Sequence, residues 1–335
     1  MSLWTPGLGR GGGKTGFAIE IESKCLYNNI EQLCTLAITP LPRRRGEKGT
    51  TIMSKPVYIT ADSTCDLTPA LLERFQIKTV PLHVLLGEEN YLDGVDFTQD
   101  MIFQRYAQDK VLPRTAAVSP QEFTDFFTPL VEAGYEVVFL GISSGLSATY
   151  QNAVIAAQDL PGVYPVDSQQ LTTGMGLMVL NACRMRDEGM DAASIAQAMQ
   201  EMIPRVNVSF VIDTLEYMWK GGRCTGVAAF GANLLNLKPC IEMRGGKLEV
   251  CKKYRGNIEK VYEKYIAERL AGKDVDPARI FVTTSNAPSP ELAQRLEDTV
   301  RKAVPDVQEV LFTRTGCTVT SHCGPGTMGV LFLEK

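Results

Sequence analysis

From residue 56 onward the chain alternates short apolar runs with amphipathic stretches of helical length. Residues 57–60, 79–86, 137–142 and 163–166 have the length and β-branched content of strands, and 87–90 is a turn into Tyr91 and Leu92. Between them, apolar spacing and capping signals predict helices over 69–75, 96–108, 120–133, 147–158, 172–188 and 191–202. Thr68-Pro69 and Ser119-Pro120-Gln121-Glu122 are start signals: an oxygen that caps, proline in the first turn and, in the second case, an acid there too. Strands alternating with helices imply a mostly parallel sheet covered by helices on both faces. After Pro204 the texture changes. Strands are expected at 206–212, 239–243, 247–251, 280–284, 307–313 and 328–333, and helices at 215–220, 258–270 and 290–302. Arg244-Gly245-Gly246 between two of those strands is a hairpin signature. The expected architecture is therefore an α/β domain over 55–205 and an α+β domain with a mixed or antiparallel sheet over 206–335.

The first 54 residues follow a different pattern and are expected to be a disordered or non-native leader, with Met53 as the natural start. Gly7-Leu8-Gly9-Arg10-Gly11-Gly12-Gly13-Lys14-Thr15 approaches a phosphate loop but has Leu8 where the first glycine belongs, and no strand precedes it. Composition narrows the rest. With 335 residues, 44% apolar and 21% charged, the chain has enough apolar content for a sizeable core. A net charge of −4 argues against a nucleic-acid partner, and no apolar run is long enough for membrane insertion. Nine cysteines without a C-x-x-C pair and only two histidines suggest reduced cytoplasmic thiols rather than a metal site.

Three loops follow apolar strands and are crowded with hydroxyls: 61–66, 142–151 and 167–174. In an open α/β sheet such loops converge at the carboxyl ends of the strands, where ligands bind. Asp62, Ser63, Ser143, Ser144 and Gly145 are the expected pocket-loop residues, and helix N-termini among them suit an anion. Asp62 and Asp66 are expected to cap the first helix and its loop, and His83, on an apolar strand, to be structural.

Ile59-Thr60-Ala61-Asp62-Ser63-Thr64-Cys65-Asp66-Leu67 resembles the opening motif of the DegV family of fatty-acid-binding proteins. The stretch from Ile142 to Ala153, Asp213-Thr214-Leu215-Glu216-Tyr217 running into Lys220-Gly221-Gly222-Arg223, and Ser321-His322-Cys323-Gly324-Pro325-Gly326 are similar to its later motifs, in the same order. The resemblance implies a non-enzymatic carrier without a cofactor. Such a carrier binds one long-chain fatty acid and presents its carboxylate to a fatty acid kinase of the dihydroxyacetone-kinase-like type. That kinase makes the acyl phosphate with ATP for phospholipid metabolism. It also implies that Thr115, Ser147 and His322 hold the carboxylate. Thr115-Ala116-Ala117 replaces the family's usual Thr-Ser-Gln, and Ala148 a common glycine, which leaves fewer side-chain donors.

A sixteen-carbon tail buried at about 0.8 kcal/mol per methylene is worth on the order of 12 kcal/mol before ordering costs. Phe123, Phe126, Phe127, Met175, Leu177, Met178 and Leu180 are candidate walls for it within the first domain. Arg223, Lys253 and Arg255 are candidates for a basic rim that docks the kinase. The alternative is a Ser/His hydrolase acting on a lipid ester, with Ser147 as nucleophile, His322 as base and Asp62 or Asp167 orienting it. The chain lacks the Gly-x-Ser-x-Gly elbow for that chemistry, because Thr149 stands two places after Ser147.

Overall fold

The structure is a computed structural model that describes residues 55–224 and 237–335; the expected leader and its near-match to a phosphate loop lie outside the described residues. Strand β1 (Val57–Asp62) pairs in parallel with β2 (Lys78–Val80) and β6 (Glu136–Gly141), and β6 pairs in parallel with β7 (Val163–Asp167). The sheet order is β2-β1-β6-β7. Its helices are α1 (Pro69–Arg74), α2 (Gln99–Asp109), α3 (Pro120–Glu132), α4 (Thr149–Ala157), α5 (Thr172–Asp187) and α6 (Ala192–Met202). The start signals act as expected. Thr68 accepts from Leu71 N, and Ser119 and Glu122 form a reciprocal capping box.

The expected strand over 79–86 is two strands. Pro81 offers no N–H, and Leu82 N donates to Ser63 Oγ at 3.1 Å instead of to a neighbouring strand. The chain leaves the parallel sheet at Val80 and starts β3 (His83–Leu86), which pairs antiparallel with β4 (Glu89–Leu92) and β5 (Arg114–Ala116). β5 was expected as loop. It is short and polar, and its pairing, Val84 opposite Thr115, has no local signature.

The second sheet has the order β10-β9-β8-β13-β11-β12, built from β8 (Val206–Val211), β9 (Leu237–Arg244), β10 (Lys247–Arg255), β11 (Val275–Thr284), β12 (Glu309–Arg314) and β13 (Met328–Glu334). Neighbours run antiparallel except β11 and β12. Helices α7 (Glu216–Gly221), α8 (Ile258–Leu270), α9 (Pro290–Ala303) and α10 (Cys317–Cys323) complete this part. The class is mixed α/β, as the pattern implied.

Helix α5 joins the two sheets. It packs on β1 and β6 of the first and on β8, β11 and β13 of the second, so it is apolar almost all round. Two glycines permit this close packing. A Cβ at Gly174 would lie 2.1 Å from Val208 Cγ2, and one at Gly176 would lie 2.9 Å from Cys65 O. Met175, Leu177, Met178 and Leu180 from α5 fill the central core.

Candidate functional site

The three hydroxyl loops follow β1, β6 and β7, at the carboxyl edge of the parallel sheet. Much of their polarity is consumed internally. Asp62, fully buried, accepts from Thr64 N at 2.9 Å, Thr64 Oγ1 at 2.5 Å and Ile142 N at 2.7 Å, so it ties the first loop to the second. Burial pushes its carboxyl up to about 6 against those bonds. Ser63 Oγ donates to Asp93 Oδ2, Ser143 Oγ donates to Gly246 O, and Ser144 Oγ donates to Asp167. These groups build the loops.

Beside the loops lies a cavity of about 490 Å³, within the range that holds small-molecule ligands. Its polar lining includes Thr115, Ser147 and His322, with Ser144, Gly145 and Arg223. Asp62, Ser63 and Ser143 do not line it. The structure therefore brings Thr115 and Ser147 together with His322, from β5, the second loop and α10. Thr115 Oγ1 and His322 Nε2 are hydrogen-bonded at 2.8 Å. Ser147 Oγ is 2.9 Å from Thr149 Oγ1 and accepts from Thr149 N, at the start of α4, whose N-cap position is Ala148.

The tautomer of His322 follows from its other nitrogen. Nδ1 is buried without a hydrogen-bond partner, and a Cβ on Gly221 would lie 2.3 Å from it. No acceptor stands beside Nδ1, which favours the tautomer protonated on Nε2. In that tautomer Nε2 donates to Thr115 Oγ1, and the threonine hydroxyl is left as a donor. Burial, and then the Arg223 charge, lower the imidazole to about 4, so it is neutral near pH 7.

Sequence reasoning missed how His322 is placed. It lies in helix α10, which is short and mostly buried and was not expected. Two buried carboxylates from the first half of the chain cap that helix. Asp66 accepts from Gly316 N at 2.8 Å, and Asp93 accepts from Cys317 N at 2.6 Å and Thr318 N at 3.2 Å. Asp66 also accepts from Thr172 Oγ1, and burial holds its carboxyl well above the usual range. After the helix, Gly324 has φ +74°, and a Cβ there would lie 2.6 Å from Tyr217, so the turn requires glycine. Asp93 stands more than two hundred residues from the amides it caps, beyond any local pattern.

Three expectations need correction. Phe123, Phe126 and Phe127 do not wall the cavity; they pack in a separate cluster, with Phe123 and Phe127 edge-on to Phe139 and Phe126 edge-on to Phe127. Met175, Leu177, Met178 and Leu180 are core. Apolar spacing on a helix marks the buried face but not whether a neighbour or a void lies opposite. The apolar walls come from Ile142, Leu146 and Leu171 together with Phe210, Leu248 and Leu331 on the second sheet, so the pocket is not confined to residues 55–205. Apart from these corrections, Arg223 lines the cavity and donates to Gly221 O at 2.7 Å, and Lys253 and Arg255 lie on β10. His83 has the structural role expected of it, bonded to Glu122 Oε1 and Asn90 Oδ1.

The bonds present do not make a hydrolase relay. Ser147 is bonded to Thr149 rather than to His322, and neither Asp62 nor Asp167 reaches the imidazole. Among the described residues no helix is long and apolar enough to cross a membrane.

The family model described as "Uncharacterised protein, DegV family" matches residues 56–335. A DegV domain-containing protein of Deinococcus radiodurans is 32% identical over 278 residues, covering 82% of this chain and 97% of the relative. One of Clostridium acetobutylicum is 30% identical over 281 residues, covering 83% and 99%. Among solved structures, a fatty-acid-binding DegV family protein of Thermus thermophilus superposes with a TM-score of 0.75 at 32% identity, covering 84% of this chain and all of that one. A stearic-acid-binding protein of Eubacterium ventriosum gives 0.71 at 27% identity, covering 83% and 98%. Both of these solved relatives are described as fatty-acid-binding. With the family model spanning both sheets and the cavity between the loops and the second sheet, the chain belongs to the DegV family.

Proposed function

We propose that this protein binds one long-chain fatty acid, with the carboxylate at Thr115, Ser147 and His322 and the tail along Phe210, Leu248 and Leu331. The observation that carries this reading is a single cavity with hydroxyls and a neutral imidazole in its lining beside apolar side chains. Burying a carboxylate costs several kcal/mol unless donors replace its water. Thr115 O–H, aligned by His322 Nε2–H, and Ser147 O–H beside the N-terminus of α4 are such donors. Being uncharged, they satisfy the anion without neutralising its oxygen as a nucleophile. The tail supplies most of the affinity, roughly 0.8 kcal/mol for each methylene buried.

The carrier presents that oxygen to a partner fatty acid kinase, which forms the acyl phosphate with ATP; Arg223, exposed at the cavity, is placed to meet the phosphates or the kinase. ATP as donor makes this cytoplasmic work. The protein contributes no catalytic group, and residues 55–205 and 206–335 act as two lobes closing on the ligand. Mass spectrometry of an organic extract of the purified protein tests the binding. A fatty acid at close to one per chain is expected. Protein that carries no lipid and takes up none when titrated with hexadecanoate would refute it.

A further inference from the structure

The β9–β10 hairpin carries a pair of thiols that the fatty-acid site does not use. Its register pairs Val250 with Ile241 and Lys252 with Cys240, with a bulge at Cys251 between them. In a regular strand Cys251 and Lys252 would point to opposite faces; a bulge lets two successive residues share one face opposite a single partner. Cys251 is thereby turned toward Cys240, and its Sγ donates to Cys240 O at 3.4 Å. The two differ in access. Cys240 is fully buried and Cys251 is exposed. The contact between the thiols lowers the pKa of Cys251, against burial and the Glu242 charge, and, together with burial, raises that of Cys240. Every other described cysteine is buried.

We propose that Cys251 and Cys240 form a reversible disulfide on exposure to hydrogen peroxide, with Cys251 as the attacking thiol and Cys240 as the resolving one. The Cys251 thiolate attacks the peroxide: an S–O bond forms and the O–O bond breaks. Sulfur is oxidised to sulfenic acid while the other peroxide oxygen leaves as hydroxide and takes a proton to become water. The Cys240 sulfur then attacks the sulfenic sulfur. The S–S bond forms, the S–O bond breaks, and the departing hydroxyl leaves as a second water with the Cys240 proton. Two thiols and one peroxide give one disulfide and two waters. The hairpin matters to the pocket, since it supplies Leu248 to the cavity wall and Gly246 O to the Ser143 hydroxyl.

The test is non-reducing peptide mapping of the full chain after hydrogen peroxide treatment and thiol blocking. A Cys240–Cys251 crosslinked peptide that dithiothreitol removes is expected. Cys251→Ser should abolish that crosslink, and Cys240→Ser should leave a Cys251 sulfenic acid that a 1,3-diketone probe traps. Cys251 oxidised to sulfinic acid in the wild type while Cys240 remains a free thiol would overturn the proposal. So would a Cys251-linked dimer, or oxidation of other cysteines with this pair untouched. The result is independent of whether the cavity holds a fatty acid.

Discussion

Two sets of polar side chains stand within the same few loops and do different work. Asp62, Asp66, Asp93 and Ser143 are buried and bonded to backbone amides, hydroxyls or a carbonyl of other segments. Thr115, Ser147 and His322 are less enclosed, bond mainly to one another or to a single neighbour, and line the cavity. The first set locks loops together; the second keeps donors available for a ligand. Hydroxyl-rich composition alone does not distinguish them. The number of internal partners does, which gives each set a separate signature, stability for one and binding for the other.

The largest expected effect comes from the locking set. Asp93→Ala strips three donors, Cys317 N, Thr318 N and Ser63 Oγ, of one acceptor in buried surroundings. At about 1–3 kcal/mol for each buried group left unsatisfied, a loss of roughly 2–4 kcal/mol is expected after relaxation. Denaturant unfolding measures it. A change below about 0.5 kcal/mol would merge the two sets into one.

The apolar counterpart is Gly174→Ala. The added methyl collides with Val208 at the α5–β8 contact, and overpacking of this kind costs roughly 1–3 kcal/mol. A thermal unfolding shift checks it. An unchanged midpoint would mean that α5 can move between the sheets without loss.

How legible was this in the sequence? The helix starts were, because Thr68 and Ser119 are caps within three or four residues of the groups they satisfy. The β9–β10 hairpin was also legible from its glycine turn. The cavity wall was not. Phe123 and Phe127 have the same helical spacing whether they face a void or Phe139, and only the fold decides. Nor was α10, whose capping carboxylates lie in distant loops that follow β1 and β4. Thr115 and His322 were placed by family resemblance, and their 2.8 Å contact joins positions that no local pattern connects.

A smaller effect sharpens the comparison from the binding side. His322 has a folded pKa near 4 and an unfolded value near 6.5, so only the unfolded chain takes the proton between those limits. Its contribution to stability is intact above about pH 6.5 and falls as the pH drops toward 4. NMR titration of the ligand-free protein, with the resonance assigned by His322→Gln, should show a neutral ring at pH 6. An imidazolium there would remove the argument for an uncharged anion site.

The most direct test of that site compares hexadecanoate with hexadecanol, which share a tail and differ at the head, in the wild type and in Thr115→Val/Ser147→Ala. Hydrogen bonds to a charged group are worth about 1.5–3 kcal/mol each, so the double variant should lose roughly 3–6 kcal/mol of acid affinity. Its alcohol affinity should change far less, and its folded state should persist in denaturant unfolding. Equal losses for acid and alcohol, or an acid preference that survives both substitutions, would contradict the assignment of the carboxylate to these hydroxyls.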